Sequence, residues 1–329
     1  MRANVWSVLI LSCLFLMSTA GANPGGVGLS SQDMQCGGAC HGDADLNATS
    51  PYTIEIEHTS TAYAGLPTSI RLSIGNLDAL ESDIIGIFLL TDTTGFEDTP
   101  EDDGWTVISN SQGGDGNYAE IQKSGEFIHI DWTLLAPNTP GSQTFYGSVH
   151  HGSTGSSDIP YFGISSTPLT VQVVPVPENL PRIDPDADLP TQRQNGEVTE
   201  IILKTVEVEN MTLEWRVQGG DLHSSTINSS NDQQWTFTIP ATLTPDIVEW
   251  RVILSGNDIE QTSPWFQLSS LTDLSKVDNT AMYVQSFALL IFTAGLYLGL
   301  SRVSREGEGQ TKQFDAIDDV LGQAGGEHK

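Results

Sequence analysis

The chain has 329 residues, of which 42 are acidic and 13 basic, and its formal net charge is −29. This length suffices for two ordinary domains with additional segments. The charge argues against nucleic acid as a partner and against docking on anionic lipid, because both need basic patches. Only 17% of the residues are charged and Gly is abundant. With few helical patterns, this composition predicts an all-β protein.

Residues 1–22 have the pattern of a secretory signal peptide. A positive charge at Arg2 precedes an apolar run over residues 5–17, and small residues at 20–22 fit a cleavage site. The apolar run is too short to span a bilayer comfortably. Cys13 lies inside this run, so we expect it to be removed and the mature chain to keep only two cysteines.

Those two cysteines form the chemically most distinctive motif of the chain, Cys36, Cys40 and His41. Two thiols followed directly by a histidine attach haem c covalently, and the histidine becomes an axial ligand of the iron. Three residues separate the cysteines here, where two is the common spacing. A disulfide between Cys36 and Cys40, which an oxidising compartment favours, is therefore an open alternative. A metal site on both thiolates and His41 is a third interpretation, but it has no obvious fourth ligand nearby.

Short segments of alternating apolar and polar residues follow from residue 52 and are separated by turns rich in Gly, Pro and Asn. About eight strands at such spacing predict a β-sandwich, which we assign to residues 23–175. The predicted strands are Thr53–Glu57, Ser69–Ile74, Ile84–Leu90, Trp105–Ser109, Tyr118–Gln122, Glu126–Trp132, Gln143–Val149 and Leu169–Val174.

A family resemblance arises from the order of several short motifs. They are Gly86-Ile87-Phe88-Leu89, Trp132-Thr133-Leu134-Leu135-Ala136-Pro137, and Gly141 followed by Phe145-Tyr146. This order resembles the Reeler-like domain, and most of all the "choice-of-anchor V" family, over roughly residues 30–175. The resemblance implies an extracytoplasmic β-sandwich at the cell surface and no established enzyme activity. It maps the family's early cysteine-histidine motif onto Cys36, Cys40 and His41, and a histidine before the tryptophan onto His129.

His129 is the candidate for the second axial ligand of the iron. Alternation within Glu126–Trp132 places His129 and Asp131 on one face and the apolar side chains on the other. We therefore expect His129 to face away from the core, with Asp131 orienting its imidazole. His150 and His151, near the end of a later strand, are competing candidates. The alternative for His129 is an ordinary solvated strand residue.

One loop of the first domain is crowded with carboxylates. An ordinary solvated loop is the simplest interpretation, and a calcium site is the alternative, because calcium prefers oxygen ligands. The acidic residues are Glu97, Asp98, Glu101, Asp102 and Asp103.

Five prolines between positions 175 and 190 predict a semi-rigid linker over residues 176–192, with few contacts and independently folding domains on either side. Residues 193–272 again predict strands, which we assign to an immunoglobulin- or fibronectin III-like β-sandwich. Trp215, Trp235 and Trp250 fit its core, and a ligand site lined by them is the alternative. The predicted strands are Thr199–Val208, Thr212–Val217, Gln234–Ile239, Ile247–Leu254 and Trp265–Leu268.

Residues 281–300 form an apolar run without charges, long enough for a transmembrane helix. Arg302 and Arg305 follow it, so the positive-inside rule places the C-terminus in the cytoplasm. Residues 301–329 then form a short acidic cytoplasmic tail.

The sequence thus predicts an all-β protein with two β-sandwich domains in tandem plus one C-terminal transmembrane helix. We find no sequence motif of a hydrolase, a metalloprotease or a phosphate-binding loop, so no enzyme activity is expected. The first functional hypothesis is a cell-membrane protein that carries haem c and transfers electrons outside the cytoplasm. The second is a surface binding or adhesion protein with a Cys36–Cys40 disulfide, whose partner is an unknown extracellular protein or glycan.

Overall fold

The computed structural model describes residues 31–34, 48–58, 61–79, 84–153, 156–231, 233–244, 246–271, 283 and 286–299. The chain divides into two compact units, one of residues 22–273 and one of residues 1–21 and 274–329. Strands dominate the described part of the larger unit and confirm the all-β prediction. The predicted signal peptide and the motif residues Cys36, Cys40 and His41 lie outside the described residues.

The first sandwich pairs a seven-stranded sheet with a four-stranded sheet. Its strands are β1 (Ala48–Thr49), β2 (Thr53–His58), β3 (Ala62–Tyr63), β4 (Pro67–Gly75), β5 (Ile84–Leu90), β6 (Thr106–Asn110), β7 (Tyr118–Gln122), β8 (Ile128–Leu135), β9 (Gly141–Ser153), β10 (Ser156–Ile164) and β11 (Leu169–Val174). In the larger sheet, the long strand β9 pairs with β5 on one side and with β10 and β11 on the other. Outside these lie β7 next to β5, β1 next to β10, and β3 next to β11. The smaller sheet has the order β2-β4-β8-β6.

Alternating side chains build the core between these two sheets. In β8, Ile128, Ile130 and Trp132 are buried, whereas His129 and Asp131 face outward, as the alternation predicts. Each fully buried side chain of this size contributes on the order of 1.5–3 kcal/mol. The buried indole N–H of Trp132 is hydrogen-bonded: its Nε1 donates to the carbonyl of Gly116 at 3.1 Å.

The second sandwich pairs a four-stranded sheet, ordered β12-β14-β18-β17, with a six-stranded sheet, ordered β13-β21-β19-β15-β16 with β20 also beside β19. Trp235 and Trp250 are buried in its core, and Trp215 packs against that core and stacks on His223 at 4.3 Å. The three tryptophans are therefore core and packing residues. The strands are β12 (Arg182–Ile183), β13 (Gln192–Gln194), β14 (Thr199–Val206), β15 (Asn210–Val217), β16 (His223–Ile227), β17 (Ser229–Asn231), β18 (Gln234–Ile239), β19 (Ile247–Gly256), β20 (Ile259–Thr262) and β21 (Phe266–Leu271).

The segment predicted as a linker is partly built into the second sandwich. Strand β12 pairs with β14, and Ile183 is buried in the core. The backbone N–H of Asp184 donates to the carbonyl of Lys204 at 3.0 Å. The expectation of a spacer with few contacts was therefore wrong for this part, because apolar residues between the prolines anchor it to the sheet.

The two sandwiches are also in direct contact, which differs from the expected independence. Ser109 Oγ donates to Gln267 Oε1 at 2.5 Å, and Ser269 Oγ donates to the carbonyl of Gly113 at 2.7 Å. Gln267 and Ser269 lie in β21, and both partners lie at or just after β6. Polar side chains on the outer face of the six-stranded sheet thus bind the end of the smaller sheet of the first sandwich.

A ladder of two ion pairs positions Trp265, the residue before β21, against the first sandwich. Arg216 pairs with Glu249 and Arg251 pairs with Glu214, each at 2.6 Å across β15 and β19. Both guanidinium groups lie over the ring of Trp265, at 4.6 and 4.5 Å from its centroid. The carbonyl of Trp265 accepts a hydrogen bond from Thr133 Oγ1 of β8 at 2.6 Å. The ladder therefore holds one of the contacts between the sandwiches in place.

The C-terminal run is helical over residues 286–299, and these residues are exposed. Among the described residues, no helix combines the length and the apolar character needed to cross a membrane. The predicted span of residues 281–300 extends beyond the described residues, so the transmembrane helix stays a prediction.

Candidate functional site

The short segment 31–34 ends two residues before Cys36 and is docked on the first sandwich. The side chain of Met34 packs against the buried Phe88, Leu90 and Tyr118. These three side chains form a cluster that is separate from the core between the two sheets. Since they alternate with core residues along β5 and β7, they lie on the outer face of the seven-stranded sheet. Met34, two residues before Cys36, therefore lies on this outer face.

Asn117 fixes the backbone of this segment. Its Oδ1 accepts from the N–H of Gln32 at 2.8 Å, and its Nδ2 donates to the carbonyl of Gln32 at 3.0 Å. The same Nδ2 donates to the carbonyl of Leu89 at 3.0 Å. Asn117 is fully buried. The buried side-chain amide of Asn117 therefore holds Gln32 in place, because undocking the segment would leave buried polar groups unpaired at a cost in free energy.

Asp98 holds the next part of the segment. It is fully buried, and its Oδ1 and Oδ2 accept from the N–H groups of Met34 at 3.2 Å and Gly95 at 3.1 Å. Burial raises the pKa of Asp98 to about 6, the hydrogen bond from Met34 opposes the shift, and the neighbouring Asp33 adds to it. The carboxyl group that holds Met34 is therefore close to its titration range at physiological pH.

The outer face continues beyond Met34 as a set of aromatic side chains, here called the outer aromatic face. Neighbouring rings are in contact in space. The distances between ring centroids are 4.5 Å for Phe88 and Tyr118, 4.8 Å for Phe88 and His150, and 5.4 Å for His150 and Phe162. Tyr146, half-buried, packs against the same cluster. The outer aromatic face therefore consists of Phe88, Tyr118, Tyr146, His150 and Phe162.

Gly86 makes room for one of these rings. A Cβ atom at Gly86 would lie 2.7 Å from Tyr118 Oη and 2.9 Å from its Cε2, so the Tyr118 ring covers the bare backbone of β5. Gly86 is also the register partner of His150 on β9. A side chain at this position would displace the ring next to His150.

The described residues on either side of positions 35–47 both lie on this sheet. Met34 packs against side chains of β5 and β7, and Ala48 lies in β1, which pairs with β10. Thr49 in β1 is the register partner of Phe162, the neighbour of His150. Three strand spacings of about 4.8 Å separate β5 from β1.

His129 lies on a different surface. It faces outward from β8 in the four-stranded sheet, where its Nδ1 is hydrogen-bonded to Ser73 Oγ at 2.9 Å. Asp131 does not orient His129: its two carboxylate oxygens accept from Arg71 at 2.6 and 2.8 Å. This part of the prediction was wrong, because the cross-strand neighbour of Asp131 on β4 is the cationic Arg71. The segment 31–34 and His129 thus lie on the outer faces of opposite sheets.

His151, the other competing residue, points inward. Its ring is fully buried and stacks between Tyr52 at 4.4 Å and Tyr161 at 5.2 Å. Its Nε2 is hydrogen-bonded to Ser50 Oγ at 2.8 Å. His151 is a structural residue at the end of the core.

The acidic loop is more ordered than a simple solvated loop. Asp98 is buried, and Asp102 Oδ2 accepts from the N–H and the Oγ1 of Thr99 at 3.1 and 2.7 Å. Glu101 accepts from Ser31 Oγ at 3.2 Å. Three of the five carboxylates therefore hold the loop itself or the segment 31–34.

A cavity of about 110 Å³ lies between the two sandwiches, among residues that include Tyr63, Pro67, Leu180, Arg182 and Pro264. Pockets for cofactors and small ligands are typically about 300–1,000 Å³. This cavity is therefore too small for a haem or a sugar ring.

Sequence reasoning missed the two residues that position the site, Asn117 and Asp98. Asn117 follows a Gly-Asp-Gly turn and has no periodic pattern, and Asp98 was counted with the other acids of its loop. Their partners are 85 and 64 residues away in sequence. The local sequence carries no signal for such contacts.

Comparison with known proteins finds distant structural likenesses only. No family model and no curated protein matches the chain. It is similar to the Reelin-N domain of F-spondin, with 11% identity over 43% of this chain and 96% of that one, at a TM-score of 0.27. It is also similar to the human F-spondin reeler domain, with 11% identity over 41% and 95% and a TM-score of 0.26. A titin immunoglobulin tandem gives 11% identity over 67% and 96%, with a TM-score of 0.21. Reeler and other β-sandwich domains are thus among its structural neighbours, and likenesses this distant carry no argument.

The pKa of Asp98 predicts a pH dependence of stability. An unfolded aspartate titrates near pH 4, so between about pH 4 and pH 6 the folded chain holds a proton that the unfolded chain releases. Stability from this group is therefore highest below about pH 4 and falls as the pH rises to about 6, by on the order of 2–3 kcal/mol. Urea unfolding at pH 4.5 and pH 7 should show this slope in the wild type and a weaker one in Asp98→Asn. An unchanged slope in the variant would contradict the assignment.

Proposed function

We propose that this chain is a membrane-anchored, extracytoplasmic protein that carries a covalently attached haem c and transfers electrons. Cys36 and Cys40 hold the haem through thioether bonds, and His41 ligates its iron. The observation that supports this most is that Met34 and Ala48, the described residues on either side of the motif, both lie on the sheet that carries the outer aromatic face. Flat apolar rings suit the face of a porphyrin, and a histidine lies among them. The residues next to the motif therefore fit the group.

The bound haem would supply reversible one-electron transfer. The chain's own residues would bind and shield it: Cys36 and Cys40 would hold it covalently, and the outer aromatic face would help to exclude water from it. Asn117 and Asp98 hold the chain just before the first cysteine, through Gln32 and Met34. This anchoring limits the loop conformations that the attached group would otherwise sample.

We further propose that the N-terminal sandwich belongs to the "choice-of-anchor V" group and that the anchor is the run of residues 281–300. This run has twenty residues without a charge, followed by Arg302 and Arg305. The helix formed by residues 286–299 exposes Phe287, Leu290 and Leu298 to more than half of their surface. Such all-round apolar exposure is typical of a helix that contacts lipid. Both sandwiches would then lie outside the cytoplasm.

The test is haem attachment in the full chain, produced in a host that matures c-type cytochromes and extracted from its membranes with detergent. We expect haem staining that survives denaturation and a matching mass increase. Both should be lost in Cys36→Ser and Cys40→Ser. Cys13→Ser, in the predicted signal peptide, is the matched control and should keep the haem.

The alternative function, a surface binding protein, makes a different prediction in the same preparation. The wild type would then carry no haem, and Cys36 and Cys40 would resist alkylation until reduced, as a disulfide requires. That outcome would overturn the haem proposal. Recovery of the full chain from the soluble fraction, without detergent, would overturn the membrane anchor.

A further inference from the structure

Among the described residues that line the cavity between the two sandwiches, Arg182 alone is charged. We propose that this cavity binds a carboxylate carried by a short, branched aliphatic group, either as a free acid or as the C-terminal residue of a peptide. The proposal does not depend on the haem, because no residue of the outer aromatic face lines the cavity.

The most buried part of the lining is apolar. Ile183 and Leu254 belong to the core of the second sandwich, and Leu66 is a buried residue of the first. All three line the cavity. Water beside these side chains has few hydrogen-bond partners, so a hydrocarbon group that displaces it gains free energy. This part of the cavity therefore favours an aliphatic group.

The volume of the cavity sets the size of that group. An apolar cavity of about 150 Å³ holds a benzene ring, and this one measures about 110 Å³. In proportion, it holds about four carbon atoms, which is the size of an isobutyl group. Pro67, Pro181 and Pro264 are also in the lining. Since the ring of proline fixes φ, these walls are formed before a ligand binds, which lowers the entropic cost of binding.

Arg182 supplies the site for the carboxylate. Its Nη1 donates to the carbonyl of Leu180 at 2.9 Å and to the carbonyl of Glu178 at 3.4 Å, and Leu180 also lines the cavity. These bonds hold the guanidinium group beside the cavity. A guanidinium group has five N–H donors, so Nε and Nη2 can bind a carboxylate in the bidentate geometry typical of arginine.

Arg182 also differs from other arginines of the described chain in its charge balance. The ion pairs among the described residues are those of Arg71, Arg216 and Arg251, each with a carboxylate at 2.6 Å. No carboxylate of this part of the chain pairs with Arg182. An arginine that lines an apolar cavity without an ion pair is complementary to an anionic ligand with a hydrocarbon part.

The rim of the cavity comes from both sandwiches. Thr61 lies just before β3, and Thr262 ends β20; both line the cavity and are exposed. A ligand can therefore enter from solvent. Once bound, it contacts residues of both sandwiches and should stabilise them together, because a ligand that binds only the folded state raises its stability.

The experiment titrates the full chain, in detergent, with isovalerate and with its neutral amide, isovaleramide, and follows binding by ligand-observed nuclear magnetic resonance. We expect isovalerate to bind about tenfold more tightly or better, because hydrogen bonds between charged groups are the stronger ones. Arg182→Gln should reduce the affinity for isovalerate to that for the amide. Lys204→Gln is the matched control, since it removes the same charge from the neighbouring strand β14, outside the lining; it should change neither affinity.

A second variant keeps the test decisive if Arg182→Gln does not fold. Thr262→Trp places a large side chain at the exposed rim and should weaken the binding of both ligands while Arg182 is intact. Equal affinities of the wild type for isovalerate and isovaleramide would overturn the proposal, as would unchanged binding in either variant or no saturable binding of isovalerate at all.

The two sources of the carboxylate are distinguished with the peptide N-acetyl-Gly-Gly-Leu. If it binds the wild type more tightly than isovalerate does, and the same peptide with an amidated C-terminus does not, the site takes a peptide C-terminus. If isovalerate binds more tightly, the site takes a free acid. Each result supports the site, provided that Arg182→Gln or Thr262→Trp abolishes the preference.

Discussion

Replacing Asn117 with alanine is expected to release residues 31–34 from the first sandwich. The substitution removes two hydrogen bonds to Gln32 and one to Leu89, all inside a buried site. Each buried group left unpaired costs about 1–3 kcal/mol, so we expect the segment's docking to weaken by about 2–4 kcal/mol. Since about 1.4 kcal/mol corresponds to a tenfold change, the segment should open roughly 30- to 1,000-fold more often.

Hydrogen exchange measures this directly, at the amides of Gln32 and Met34. Both should exchange much faster in Asn117→Ala than in the wild type, while amides of β19 in the second sandwich should change little. Asn210→Ala is the control, because Asn210 is exposed at the start of β15. An unchanged exchange rate at Gln32 would show that Met34 packing alone holds the segment, and would contradict the role assigned to Asn117.

The part of the fold that the sequence predicts well is the part encoded by local periodicity. The strands Ile84–Leu90, Tyr118–Gln122, Leu169–Val174 and Gln234–Ile239 have the predicted bounds. The outward direction of His129 was likewise predicted from alternation. Each of these statements needs only the residues of one strand, since the side-chain period of two is a property of the strand itself.

The missing parts depend on partners far along the chain. Strands β1 and β3 have two residues each and exist because β10 and β11 pair with them. No pattern can be recognised in two residues. The same limit applies to the site: alternation directs both His129 and His150 outward, but it does not say which sheet receives the N-terminal segment. That choice is made by Asn117 and Asp98, through bonds spanning 85 and 64 residues.

Gly113→Ala is expected to separate the two sandwiches and to give the largest loss of stability among the single substitutions considered. Gly113 has φ +82°, which costs a residue with a Cβ about 1–2 kcal/mol. It also approaches β21 so closely that a Cβ would overlap Ser269 Oγ, with Ile247 Cδ1 3.2 Å away. Overpacking of this kind typically adds about 1–3 kcal/mol. Together the two costs predict that the free energy of unfolding falls by about 2–5 kcal/mol.

Gly125→Ala is a matched control for the cost of placing a residue with a Cβ at positive φ. It has φ +74°, and nothing lies within 4 Å of the position where its Cβ would be. Gly125→Ala should therefore lower the free energy of unfolding only by the cost of the positive φ, about 1–2 kcal/mol. In calorimetry, we expect Gly113→Ala to split a single unfolding transition into two, because the hydrogen bonds from Ser109 and Ser269 link the sandwiches. Equal losses in the two variants, with one transition each, would mean that the interface adds no stability and that the sandwiches fold independently.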